Sequence, residues 1–79
     1  MSQTIGEISK NPYEKIVATL GEFKGRTRID LRMYFKPEVS EADKWVPTKK
    51  GINLDVDMWS DFKELVGKVD EALGKAEGG

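Results

Sequence analysis

Residues 23–35 read Phe-Lys-Gly-Arg-Thr-Arg-Ile-Asp-Leu-Arg-Met-Tyr-Phe; four of these thirteen are basic and three aromatic. Arginine and lysine neutralise phosphates and release their counterions. Aromatic rings give flat platforms on which unstacked bases sit. Together they suit a surface that holds single-stranded nucleic acid without reading its sequence. Catalysis has far less to draw on. With no histidine and no cysteine in the chain, neither a Ser-His-Asp nor a Cys-His arrangement can be built, and the thiolate and imidazole ligands of most transition-metal sites are missing. The carboxylates at 55, 57 and 61 read as helix caps and a solvated face. The scattered glycines form no phosphate-binding loop. The expectation is a protein that is not an enzyme and carries no cofactor and no metal.

Charge is unevenly spread. The net charge of the 79 residues is −1, but residues 1–22 carry −1, residues 23–50 carry +4 and residues 51–79 carry −4. A basic middle and an acidic C-terminal third fit a polyanion-binding surface with an acidic element turned elsewhere. No apolar run approaches the roughly 20 residues that span a bilayer, and the N-terminus has no apolar signal core. The expected location is the cytosol, with no membrane partner.

The elements that must position the basic stretch follow from periodicity. Residues 1–12 are polar and without sustained period, and read as a flexible arm. Residues 14–23 are rich in β-branched side chains and read as a first strand. Gly25 serves the turn at 23–26. Residues 26–35 form a second strand whose alternation is plain: Thr27, Ile29, Leu31 and Met33 fall on one face, and Arg26, Arg28, Asp30, Arg32 and Tyr34 on the other. A charged loop over 36–44 opens with Pro37. Trp45-Val46 and Ile52–Leu54 read as two short strands punctuated by Pro47 and Gly51. Asp55 can cap a helix, with Asp57 in its first turn. Met58, Phe62, Leu65, Val69 and Ala72 then repeat at helical intervals, flanked by Trp59, Val66 and Leu73. This apolar stripe is wider than one small sheet face must cover, which points to a second subunit. The predicted architecture is α+β: a four-stranded antiparallel sheet with a helix packed on one face and the arginines on the other. The domain is expected over 13–74, with a tail at 75–79.

On these residues alone two readings stand. One is a single-strand binder. The other is a small dimeric adaptor whose basic sheet docks an acidic protein, or a solvated face in which Asp30 and other carboxylates pair with the arginines.

The order of motifs adds to this. Phe-Lys-Gly at 23–25, Ile-Asp-Leu-Arg at 29–32, Lys-Gly-Ile-Asn-Leu at 50–54 and Trp59-x-x-Phe-Lys-Glu resemble the C-terminal domain of the transcriptional positive cofactor four family. These coactivators bind single-stranded DNA, and the resemblance runs from about residue 14 to residue 73. It implies a homodimer of curved four-stranded sheets joined through its C-terminal helices, binding single strands or melted duplex. It implies work in transcription or in DNA replication and recombination, with proteins of those processes as further partners. RNA is a third ligand, since backbone capture and stacking do not discriminate the 2′-hydroxyl. In length the chain looks like a stand-alone bacterial or phage version of the domain.

The resemblance assigns roles one position at a time. Phe23 matches a base-stacking aromatic, Lys24 and Arg26 match basic residues flanking the turn, and Arg32 matches a phosphate-contacting arginine. Phe35 stands where the family usually has a stacking tryptophan. Lys49 and Lys50 match a basic pair. Arg28 has no family counterpart and rests on its strand parity with Arg26 and Arg32. Where the family often has lysine before the proline this chain has Val46, with Trp45 beside it. Strict alternation sets Arg32 and Phe35 on opposite faces, whereas the family pattern needs both at the DNA. Either the strand bends near Met33-Tyr34 or Phe35 is core.

Overall fold

A computed structural model of the chain describes residues 2–37 and 44–78. Most of the predicted loop at 36–44 therefore lies outside the described residues. Four strands, β1 (Gln3–Asn11), β2 (Glu14–Phe23), β3 (Arg26–Phe35) and β4 (Val46–Asp55), form one antiparallel sheet in sequence order. A single 3-10 turn, Val56–Met58, leads into the helix α1 (Trp59–Gly78).

The β2–β3 hairpin is the spine. It pairs without interruption from Phe23↔Arg26 to Glu14↔Phe35. Its two-residue turn puts Lys24 at φ 53° and Gly25 at φ 77°. Positive φ at both positions is the type I′ geometry whose twist matches the flanking strands. Directly opposed residues in an antiparallel pair share a face. One face therefore carries Ile16, Ala18, Leu20, Ile29, Leu31 and Met33, and across β3 it continues through Ile52 and Leu54. The other carries Val17, Phe23, Arg26, Arg28, Asp30, Arg32 and Tyr34, with Asn53 and Asp55 of β4 beside them. We refer to these as the apolar face and the basic face.

Four readings from sequence need correction. Residues 3–11 are not an arm but the edge strand β1, paired with β2. Two register shifts, between Thr4 and Gly6 and between Ser9 and Asn11, break its alternation, so the period that marks a strand is scrambled. The two short pieces at 45–46 and 52–54 belong to one strand, β4, which bulges opposite Arg32–Tyr34 of β3. Helix α1 continues to Gly78, through most of the expected tail. The helix also does not pack on its own sheet. The 3-10 turn touches β3 and β4 and Trp59 at the start of α1 reaches the apolar face, but farther along the helix Leu65, Val66, Val69 and Leu73 are each more than half exposed. The physical reason lies in the apolar stripe, which has no intramolecular partner of its own length.

The capping prediction holds. Asp55 is the cap, and its Oδ1 accepts from the Asp57 amide at 3.0 Å. Only Val17, Ile29 and Leu54 are buried hydrophobics among the described residues.

Candidate nucleic-acid interface

The basic face is organised from its hairpin end. Phe23, opposite Arg26, leaves its ring 61% exposed, and the Lys24 ammonium lies 5.4 Å from the ring centroid. Beside it a groove of about 420 Å³ is lined by Gly21, Glu22, Phe23, Arg28 and Asn53. Gly21 pairs with Arg28, and with no side chain there the floor of the groove stays open. An exposed ring, a guanidinium and a side-chain amide thus converge on a space the size of a small ligand site.

The arginines are held by partners on the same face, and Arg26 and Arg28 share Asp55. Arg26 donates from Nε to Asp55 Oδ2 at 2.8 Å and from Nη2 to Asp55 Oδ1 at 2.7 Å, and also reaches Asp57. Hydrogen bonding from Arg26, and then from the Asp57 amide, holds the Asp55 carboxyl well below the usual carboxylate range. Arg28 donates to Asn53 Oδ1 at 2.7 Å and stands 3.8 Å from Asp55. Arg32 spends all three nitrogens: Nε and Nη2 on Asp30 at 3.0 and 2.8 Å, and Nη1 on the Thr48 carbonyl at 2.9 Å. The Arg32 contact, followed by that of Asn53, lowers the Asp30 carboxyl despite its partial burial. The pairing of Asp30 with an arginine is the solvated-face alternative in part, and the structure contains it.

The bulge of β4 has its own internal order. Thr48 Oγ1 donates to the Met33 carbonyl at 2.8 Å and accepts from the Lys50 amide at 3.2 Å. Arg32 clamps the same turn of chain through the Thr48 carbonyl. Gly51 then passes so close to β3 that a Cβ on it would lie 2.5 Å from the Leu31 carbonyl oxygen and 2.8 Å from Arg32 Cα. This approach of backbone to backbone is what the glycine of Lys-Gly-Ile provides.

The residues singled out from sequence fall into two groups. Phe23, Arg26, Arg28 and Arg32 share the basic face, and Lys24 sits at its hairpin tip. Lys49 is exposed in the β4 bulge. Phe35 and Lys50 lie on the other side. The β2–β3 register is unbroken to its end, so Phe35, opposite Glu14, keeps the parity of Ile29. The irregularity expected near Met33-Tyr34 exists, but β4 takes it up and β3 does not. Lys50 lines an apolar-face groove with Ile16, Met33 and Ile52, and its charge contributes to lowering the Glu14 carboxyl, behind the larger effects of Asn11 and Lys10.

Sequence reasoning passed over Asn53, Thr48 and the Asp55–Asp57 pair as parts of this face. Asn53 was within reach, because it alternates with Gly51 and Asp55 along β4 and so must face Asp30. The role of Thr48 was not, since it depends on a bulge.

Against known proteins, residues 10–65 match the family model described as Transcriptional Coactivator p15 (PC4). The RNA polymerase II transcriptional coactivator KELP of Arabidopsis thaliana is 36% identical over 64 residues, which is 81% of this chain and 36% of the relative's length. The chain thus spans little more than a third of that relative. A PC4 homologue from Burkholderia pseudomallei shares the fold with a TM-score of 0.76 at 20% identity, covering 89% of this chain and 98% of the other. A bacteriophage T5 homologue of the eukaryotic coactivator, implicated in recombination-dependent DNA replication, aligns with a TM-score of 0.64 at 22% identity, over 96% of this chain and 81% of its own.

Proposed function

The chain belongs to the Transcriptional Coactivator p15 (PC4) family, and from that membership we propose that it is a dimeric protein that binds single-stranded DNA with little sequence specificity, in transcription or in DNA replication and recombination. The observation that carries this reading is the basic face, where the exposed Phe23 ring stands beside Arg28 and Asn53 over an open groove. A base unstacks onto Phe23, and Lys24, Arg26 and Arg28 face its backbone.

The carboxylate partners shape the mechanism. Arg26 shares its positive charge with Asp55 and Asp57 in the free protein. Phosphate oxygens compete for the same donors, so part of the electrostatic gain offsets the loss of those pairs. Arg32, with every nitrogen engaged, serves chiefly to hold the bulge that carries Lys49. Stacking then supplies the share of affinity that salt does not screen.

Areas support dimerisation. A compact 8.9 kDa protein exposes about 4,800 Å², yet this chain exposes 6482 Å². The surplus, roughly 1,700 Å², is what one subunit gives to a stable obligate interface. Open apolar surface is found on the helix stripe and on the apolar face, where Ile5, Leu20, Leu31, Val56 and Trp59 line an apolar groove of about 330 Å³. A second copy covers both.

Fluorescence anisotropy with a labelled oligonucleotide tests the reading. Single-stranded DNA is expected to bind more tightly than its duplex, with affinity falling steeply as salt rises. Equal or tighter binding of duplex sinks it, and a clear preference for RNA of the same sequence moves the protein to RNA.

A further inference from the structure

At the end of the sheet away from Phe23, four aromatic side chains gather: Tyr13 in the β1–β2 turn, Tyr34 and Phe35 at the end of β3, and Trp45 just before β4. Two of them bear on the basic face. Tyr34 pairs with Lys15, two places beyond the Arg32↔Val17 pair and on the same side. The Lys15 ammonium lies 4.4 Å from the centroid of the Trp45 ring, which brings the indole to that side as well. Lys15 also donates to Glu7 Oε2 at 2.9 Å, and its side chain is only 17% exposed. This lysine is fixed between a carboxylate and an indole. Trp45 is accordingly held as a platform, with part of its surface open.

We infer that Trp45, held by Lys15 and flanked by Tyr34, is a second base-stacking subsite at the far end of the basic face, and that it takes the place Phe35 would fill. The inference rests on the single-strand-binding reading above. Phe35 has the parity of Ile29 and lies on the apolar face. Trp45 is on the side of the arginines. From Phe23 to Lys15 is eight residues of unbroken strand, or about 27 Å at 3.4 Å per residue. Arg26, Arg28 and Arg32 stand at intervals along that line. One strand of nucleic acid laid parallel to β3 meets an aromatic ring at each end with guanidinium groups between. Even at the duplex rise of about 3.4 Å per nucleotide no more than about eight nucleotides bridge the two rings, and an unstacked, extended strand needs fewer. A flat ring fixed in advance gains more from each stacked base than a mobile one, because less freedom is lost on binding.

The bland alternative is that Trp45 merely closes the end of the sheet over Lys15. Oligonucleotide length separates the two. Affinities for oligo(dT) of about 12 and about 3 nucleotides are measured at roughly 0.3 M salt, where backbone attraction is largely screened. The shorter one cannot span both rings. Trp45→Leu is expected to weaken binding of the longer oligonucleotide by about 5- to 150-fold, the range for one lost stack, and to leave the shorter within about twofold. Trp45→Phe retains most of the affinity, and Phe35→Leu leaves both lengths unchanged. Equal losses at both lengths, no loss at either, or a greater loss from Phe35→Leu overturns the inference. Should Trp45→Leu fail to fold, Trp45 emission in a Trp59→Phe background decides: quenching by the longer oligonucleotide supports the subsite, and its absence overturns it. If the unaltered protein binds neither length, the single-strand reading itself has failed, and the subsite with it.

Discussion

Gly51, which approaches β3 backbone to backbone, and Lys24, which takes a left-handed conformation, each have a consequence at the scale of one residue. At Gly51 the obstacle to a side chain is backbone on both counts, the Leu31 carbonyl and Arg32 Cα, so nothing flexible can yield. Gly51→Ala is expected to destabilise the fold by roughly 1–3 kcal/mol, read as a lowered urea midpoint, and to weaken DNA binding because the bulge bearing Lys49 shifts. Lys24 occupies a left-handed conformation that asparagine adopts with less strain. Lys24→Asn is expected to raise stability by about 0.5 kcal/mol, while reducing by about one the slope of log affinity against log salt. A variant that gains stability and keeps the full slope would remove Lys24 from the contact set. From sequence, Lys24 lies in the turn served by Gly25, and Gly51 punctuates two strand-like pieces. Sequence alone could not show that Gly51 sits against β3, because that closeness comes from a strand distant in sequence.

At the scale of elements, the junction between sheet and helix is tied down by charge. Arg26, at the start of β3, binds Asp55 at the end of β4 and Asp57 in the 3-10 turn, so the hairpin end and the root of α1 move together. The Asp55 carboxyl is depressed in the folded protein. Its contribution is therefore fully present above its unfolded value of about 3.9 and is lost as pH falls through the lower, folded value. Asp55→Asn is expected to lower the thermal midpoint at pH 7. The gap between variant and parent should narrow progressively as both are taken from about pH 4 down to about pH 2. A gap that persists unchanged in acid would mean the residue acts without its charge. Among the elements, β2, β3 and the helix start were legible, since clean alternation and an Asp cap mark them. Strand β1 was not, because two bulges in nine residues erase the period that would announce it.

The whole molecule is too open for its size. Its radius of gyration is 15.4 Å, against about 12 Å for a compact chain of this length. If a dimer closes it, as proposed above, stability depends on protein concentration. Leu65→Glu combined with Val69→Glu places charges in the exposed stripe of α1, and sedimentation equilibrium is expected to show loss of the dimer together with loss of cooperative unfolding. A doubly substituted protein that stays dimeric would place the interface elsewhere. The parent's thermal midpoint should rise with concentration, and an unchanged midpoint over a hundredfold range would count against obligate dimerisation.

From sequence alone came what local pattern can carry: a basic, aromatic strand, an apolar strand face opposite it, a capped amphipathic helix, and the order of motifs that leads to the family. The tertiary structure decided what depends on residues far apart in the chain. It split the candidate residues between two faces, because an unbroken β2–β3 register carries parity to Phe35 while β4 absorbs the irregularity. It bound the arginines to Asp30, Asp55 and Asp57, and it freed the helix from the sheet. Periodicity fixes which residues share a face; which partner each face meets is set by pairings and packing that no local window contains.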